Sequence, residues 1–200
     1  MARGIIISGA SGVGKTTLGT EVAKRLGWEH LDLDEYFWKK DTTLPFTEFY
    51  SKDEMVIELK EKIAKQPHFV MSGNYQSLCR EYFKEMFVLA VFLTVPQEER
   101  MERVRNREIN RYGDRILQGG DMHKNHIEFY EWAKAYDGGE NPNYCLEKDR
   151  NWALELSQYC LVLHLDGTKP VNENTETIVK QLNLLQSPDC VKHAAGTRRV

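Results

Sequence analysis

Short runs of apolar, β-branched residues alternate along this chain with amphipathic stretches. Gly4-Ile5-Ile6-Ile7-Ser8 reads as a buried strand. Leu18, Val22 and Leu26, at four-residue spacing, put one apolar face on the helix that follows, which Gly27 ends. A second short strand is predicted over residues 29–34, then an irregular aromatic segment from Tyr36 to Tyr50 containing Pro45. Ser51-Lys52-Asp53-Glu54 is a capping box opening a helix whose buried face is Met55, Leu59 and Ile63. Phe69-Val70-Met71 makes a third strand, and residues 77–84 are weakly helical. The strongest later strand is Phe87 to Val95. Pro96 then starts a helix with Glu98 and Glu99 in its first turn, where negative charge is favoured. That pattern dissolves at Tyr112-Gly113-Asp114 and Gly119-Gly120, and helical character returns over residues 121–136 and 143–158. A fifth strand over residues 159–165 leads through Asp166-Gly167-Thr168-Lys169-Pro170 into a last helix bearing Ile178, Leu182 and Leu185.

Five alternations of strand and helix predict an α/β fold of three layers, a five-stranded parallel sheet with helices on both faces. Two hundred residues suit one domain, expected over residues 1–186, with a small helical lid at about 108–122. The polar stretch 187–200 is expected to be a disordered tail.

Composition removes several classes. The chain is 41% hydrophobic and 28% charged, and its longest apolar run, Phe87 to Leu93, is far too short to cross a bilayer. The N-terminus enters a strand at once, which leaves no room for a secretory signal. Cys79, Cys145, Cys160 and Cys190 form no C-x-x-C pair, so neither a zinc site nor a thiol redox motif is indicated, and a cytoplasmic protein with reduced thiols is expected. A net charge of −3 argues against duplex nucleic acid as partner.

The chemistry begins at the end of the first strand. Gly9-Ala10-Ser11-Gly12-Val13-Gly14-Lys15-Thr16 spells the phosphate-loop pattern G-x-x-x-x-G-K-[ST], between a strand and a helix as its mechanism requires. Its glycines let successive N–H groups turn around phosphate oxygens, and the helix behind adds its positive end. Lys15 is expected on the β- and γ-phosphates and the Thr16 hydroxyl on Mg²⁺, with Thr17 completing the nucleotide contact. Ligands in such sheets bind beyond the carboxyl ends of the strands. The loop, Asp32 and Asp34, Ser72-Gly73-Asn74 and Asp166-Gly167 all fall there.

Two absences narrow the class. No Asn-Lys-x-Asp segment reads guanine, and the third strand ends Val70-Met71-Ser72-Gly73, without the acid that would hold Mg²⁺ and orient water. Transfer to a bound acceptor remains. Asp32 and Asp34, alternating on a strand, would point to opposite sides, Asp32 toward Mg²⁺ and Asp34 toward an acceptor hydroxyl as its binding carboxylate or base. A turn or capping role is the alternative for Asp34, and for Asp32 it weighs about evenly with the metal role. Arg100, Arg103, Arg107 and Arg111 recur on one helical face, with Arg115 just beyond. They suit a clamp on a transferring phosphoryl group, or a solvated face paired with Glu99, Glu102 and Glu108. His123 and His126 read as polar helix residues near the lid.

Gly9 to Thr17, the Asp32-x-Asp34 pair, Glu102-Arg103-Val104-Arg105-Asn106-Arg107 and Asp166 to Pro170, in this order, resemble the adenylate, shikimate and gluconate kinase set of small P-loop kinases. Leu31-Asp32-x-Asp34-x-Tyr36-x-Trp38, Ser72-Gly73-Asn74 and Gly119-Gly120-Asp121-Met122 are similar to a group of bacterial kinase-like ATPases of the AAA type. The resemblance implies a P-loop NTPase fold, Arg103 and Arg107 framing the ATP adenine and phosphates, Arg111 and Arg115 in a closing lid, and Gly167, Lys169 and Pro170 in the adenine pocket. The chain departs from the adenylate kinase pattern at Ser72-Gly73-Asn74-Tyr75-Gln76, where an Asp-Gly-Phe-Pro-Arg segment would hold AMP, and lacks the shikimate kinase Gly-Gly-Gly turn there. Its acceptor pocket is expected to use Tyr36, Phe37, Trp38, Asn74 and Arg80, the aromatics otherwise being packing residues.

The expected activity is transfer of the γ-phosphoryl group of Mg-ATP to a small acceptor such as a nucleoside, nucleotide or hydroxylated metabolite, by a monomer or homodimer. An ATP-binding regulatory module or slow ATPase is the alternative, and phosphorylation of an oligonucleotide end a third reading that the charge disfavours.

Overall fold

The computed structural model describes residues 2–139 and 141–186. Five parallel strands, β1 (Arg3–Ser8), β2 (Glu29–Asp32), β3 (His68–Ser72), β4 (Phe87–Thr94) and β5 (Leu161–Asp166), form one sheet in the order β2-β3-β1-β4-β5. Eight helices connect and cover them: α1 (Lys15–Leu26), α2 (Leu33–Phe37), α3 (Lys52–Lys65), α4 (Gln76–Tyr82), α5 (Gln97–Tyr112), α6 (His123–Lys134), α7 (Leu146–Leu156) and α8 (Val171–Gln186). The three-layer α/β architecture expected from the alternation is therefore present.

Burial on both faces explains why β1 is apolar without interruption. Successive side chains of a strand point to opposite faces. Ile5 and Ile7 enter a core with Leu18 and Val22 of α1 and Ile178 of α8, while Ile6 enters a second core with Leu59 of α3, Phe69, Met71 and Trp152 of α7. All of these side chains are almost fully excluded from solvent. The capping box forms as expected: the Ser51 hydroxyl accepts from the Glu54 amide, and Glu54 returns a carboxylate to the Ser51 amide.

One element differs in a way that matters for the site. The second strand stops at Asp32, and residues 33–37 turn into the short helix α2. Asp32 caps it, its Oδ1 accepting from the Asp34 amide at 3.2 Å. A side chain that bonds the backbone two residues on offers the chain an alternative to the strand ladder, and here that alternative wins.

The segment expected as a lid comprises the last turn of α5, a 3₁₀ turn over Gly113–Ile116, and a glycine turn closed by Met122 N donating to Arg115 O at 2.9 Å. The tail expected over 187–200, with Cys190, lies outside the described residues. Among the described residues no helix is long and apolar enough to cross a membrane.

Candidate active site

The phosphate loop leaves the carboxyl end of β1, the central strand, between β3 and β4. Two of its glycines are required by contact as well as by conformation. Gly9 has φ +138° and a Cβ there would stand 2.3 Å from the Leu93 carbonyl oxygen; Gly12 has φ +87° and a Cβ would stand 2.3 Å from the Arg100 carbonyl oxygen. Only glycine lets the loop sit this close to β4 and the first turn of α5.

Lys15 folds back over the loop, its Nζ donating to the carbonyls of Gly9 and Ala10, both at 2.9 Å. Burial pulls its ammonium below the usual lysine range, and the negative charges of Asp34, Asp149 and Asp32 oppose that shift. Asp32 is held above the usual carboxylate range, first by burial and further by Asp34, against a hydrogen bond from the Thr16 hydroxyl. A carboxylate that burial disfavours, beside a hydroxyl at the mouth of a phosphate loop, suits a hard divalent cation that takes its remaining ligands from phosphate and water. The donor set of Thr16 and Asp32 thus fits Mg²⁺.

Because the strand ends at Asp32, Asp32 and Asp34 do not alternate along it. Both carboxylates border the same cavity, Asp32 near Thr16 and Asp34 next to Tyr75, whose hydroxyl donates to Asp34 Oδ1 at 2.9 Å. The two carboxylates are set apart instead by the first turn of α2.

The arginine row splits into three environments. Arg103, Arg107 and Arg111 border the cavity. Arg103 donates to the Gly167 carbonyl at 3.0 Å and pairs with Glu99, tying α5 to the turn after β5, where Gly167, Lys169 and Pro170 also line the cavity. Arg107 pairs with the nearly buried Glu108 and lies over the Phe129 ring. Arg100, expected on the same face, is 0% exposed: it donates to Ala133 O at 2.8 Å, pairs with Asp137 and lies over Tyr136. The loop ends of α6 cover that stretch of the face, so Arg100 joins α5 to α6 and never reaches the ligand side. Arg115 pairs with Asp121 at 2.8 Å within the glycine turn and does not line the cavity.

The cavity measures about 1300 Å³. The loop from Ser11 to Thr17, the α5 arginines and the 167–171 turn line it together with Asp34, Trp38, Phe46 and Tyr75. Of the residues expected on the acceptor side, Asp34 and Trp38 line it. Tyr36 packs instead against the core beneath α3, with burial pushing its phenol up to about 12. Arg80 is elsewhere, donating to Glu155 at 2.7 Å and lying over Trp152. Asn74 spends both ends of its amide on the protein: Oδ1 accepts from the Gly9 amide at 3.1 Å and Nδ2 donates to Asp149 at 3.2 Å. Phe37 stacks with Phe49 and Tyr75 behind the pocket wall.

The pattern of the sequence did not mark Tyr75, Phe46, Asp149, Phe129 or Trp132 as site residues, and read His126 as a polar helix residue near the lid. His126, Phe129 and Trp132 of α6 line the cavity, and Trp132 stacks on Tyr144, whose hydroxyl accepts from the Ser11 amide. The one available signal was the run of large aromatics Phe129, Tyr130, Trp132, Tyr136 and Tyr144 among polar residues. His123 Nδ1 donates to Ile116 O at 2.9 Å, in keeping with a polar helix residue, and among the described residues no cluster of three or more His, Cys, Asp or Glu side chains is placed to hold a metal.

Residues 5–130 match the family model described as AAA domain. Over 185 residues the chain is 35% identical to the uncharacterized protein YqaC of Bacillus subtilis (strain 168), covering 92% of this chain and 99% of that one. It is 24% identical over 119 residues to cytidylate kinase 2 of Borrelia garinii subsp. bavariensis, covering 55% of this chain and 65% of that protein. Among solved structures, shikimate kinase from Acinetobacter baumannii in complex with shikimate shares the fold, with a TM-score of 0.51 at 19% identity over 94% of this chain and 96% of that one. With its glycine loop closed on β4 and α5 and its five parallel strands in place, the chain belongs to the AAA domain family of P-loop proteins and carries a kinase-like P-loop fold.

Proposed function

We propose that this protein transfers the γ-phosphoryl group of Mg-ATP to a hydroxyl of a small acceptor. The observation that carries the reading is a single cavity of about 1300 Å³ lined together by the phosphate loop, Arg103, Arg107, Arg111 and Asp34. Ligand pockets commonly span about 300–1000 Å³, so this one has room for a nucleotide and a second small molecule together.

In this reading the loop and the 167–171 turn hold ATP, and Lys15 leaves the Gly9 and Ala10 carbonyls for phosphate oxygens. Thr16 and Asp32 would hold Mg²⁺, which neutralises phosphate charge. Arg107 and Arg111 neutralise charge that moves from the attacking to the leaving oxygen. Asp34 orients the acceptor hydroxyl and takes its proton as the new O–P bond forms and the bond to the β-γ bridging oxygen breaks. Positioning and charge supply most of the acceleration. The ending of β3 in Ser72, bonded through its hydroxyl to His30 at 3.1 Å, supports transfer over hydrolysis, since no acid stands there to activate water.

The test is ADP release with Mg-ATP alone and with a panel of nucleosides, nucleotides, sugars, hydroxy acids and a short single-stranded oligonucleotide. Stimulation by one small compound supports the reading. Turnover that ignores every acceptor favours a slow ATPase or a nucleotide-controlled module, and stimulation by the oligonucleotide alone favours end phosphorylation.

A further inference from the structure

We infer that Asp149 is the positioning residue of the phosphate loop: from α7 it orients Asn74, which holds the Gly9 amide, and it places a buried negative charge near Lys15 where β3 itself ends in Ser72. The inference rests on the reading of the loop as a nucleotide site.

Asp149 is 3% exposed and does not line the cavity. Its Oδ2 accepts from the Tyr136 hydroxyl at 2.7 Å and from Asn74 Nδ2 at 3.2 Å, and its Oδ1 accepts from the Gln76 amide. An ionised carboxylate only accepts, so all three donors must face it. For Asn74 that demand settles both ends of the amide. With Nδ2 committed to Asp149, Oδ1 is left toward the Gly9 N–H, 3.1 Å away. The reversed amide would set N–H against N–H at the first residue of the loop. Gln76 shows the same demand from the other side, its Oε1 buried without a hydrogen-bond partner while its nitrogen serves Asp149.

A second strut uses the same frame. Tyr144 accepts from the Ser11 amide and packs its ring against Tyr136, 4.9 Å between centroids. Gly9 is therefore held by Asn74, which bonds Asp149, and Ser11 by Tyr144, which packs on the Tyr136 that bonds Asp149, while Ser11 to Thr17 face the cavity. The charge of Asp149 is also felt by Lys15, second after Asp34 among the acids that counter its burial.

A structural and a positioning role differ in what they predict for Asp149→Asn. Burial holds the Asp149 carboxyl above its usual range, against the hydrogen bonds from Tyr136, Asn74 and Gln76. Its ionised form is thus disfavoured by folding, which offsets part of the cost of an amide that sets an N–H against one of the three donors, so Asp149→Asn should stay folded with a midpoint near or below that of wild type. The amide no longer dictates the direction of Asn74, however, so the loop should lose its anchor.

The experiment is calorimetric titration of Mg-ATP and Mg-ADP into wild type, Asp149→Asn and Asn74→Ala, each confirmed folded by circular dichroism and its thermal midpoint. Supporting partners of a binding site typically contribute about 10–100-fold. The expected result is ATP affinity weakened about tenfold or more in both variants while each remains folded. Affinity within about twofold of wild type in a folded Asp149→Asn overturns the inference. If that variant does not fold, Asn74→Ala, which breaks the same link at its other end, decides in the same way. A wild-type chain that binds no Mg-ATP is a distinguishable failure, which overturns the nucleotide site itself and the inference with it.

Discussion

The Tyr75 hydroxyl donates to Asp34 Oδ1 at 2.9 Å, joining the turn after β3 to the first turn of α2. This bond engages one oxygen of Asp34 and leaves the other for an acceptor. Burial first, then the charge of Asp34, pushes the Tyr75 phenol above its usual range, so it stays a donor throughout the physiological pH range. Tyr75→Phe should lower acceptor-dependent turnover about tenfold, the equivalent of ~1.4 kcal/mol, with ATP affinity unchanged. Asp34→Asn should spare ATP binding and remove acceptor-dependent transfer. Steady-state kinetics beside ATP titration checks both, and equal acceptor-dependent rates in Asp34→Asn and wild type would take Asp34 out of the mechanism.

Lys15 bonds two loop carbonyls, Gly9 O and Ala10 O, and must exchange them for phosphate. Lys15→Ala should lower turnover by about 10²-fold or more, the scale seen when one donor to a developing charge is lost. Its melting temperature should stay near that of wild type. A rate within a few fold of wild type would show that phosphoryl transfer does not use this ammonium.

Two arginines eleven positions apart on α5 should respond in opposite ways. Arg100 is fully buried, donates to Ala133 O and pairs with a partly exposed Asp137, so Arg100→Ala should cost about 2–3 kcal/mol of stability through the cavity it leaves and the unpaired Ala133 carbonyl. Arg111 lines the cavity, and Arg111→Ala should leave the unfolding midpoint alone while lowering turnover. Denaturant unfolding and kinetics on the two variants separate these roles.

Gly12→Ala would set a Cβ 2.3 Å from the Arg100 carbonyl at a φ of +87° that side chains rarely adopt. The loop and α5 must then part, at a cost of about 1–3 kcal/mol. ATP affinity should fall with stability. Retained affinity would mean that close contact between loop and α5 is dispensable for binding.

The folded-state carboxyl of Asp32 is raised by burial and by Asp34. A raised group contributes its stability below the unfolded carboxylate range and loses it as pH rises through the folded value. Asp32→Asn keeps the α2 cap, because asparagine caps about as well as aspartate. In metal-free buffer the variant should therefore be as stable as wild type or more so at neutral pH, with the gap closing as pH falls into the carboxylate range. Melting curves from acid to neutral pH check this. Mg²⁺ added with ATP should favour wild type, and the reverse ranking would detach Asp32 from the metal.

The donor side was legible in the residues because its chemistry is contiguous. Gly9 to Thr16 carry strand end, glycine turn and helix start in one stretch, and local backbone geometry needs nothing from afar. The arginine row was legible as a period but not as an environment. Arg100 and Arg103 differ by what packs on them, Tyr136 and Ala133 against the one, the Gly167 turn against the other.

What the sequence by itself determined is the alternation of strands and helices, the phosphate loop and the acidic pair, since periodicity, capping and glycine placement act over a few residues. Tertiary structure alone decided that Arg80 leaves for Glu155 and Arg100 for Asp137, and that Asp149, 75 positions from Asn74, reaches the loop through it. Hydrogen bonds and ion pairs between distant segments depend on how helices pack on the sheet, and no local spacing records that packing.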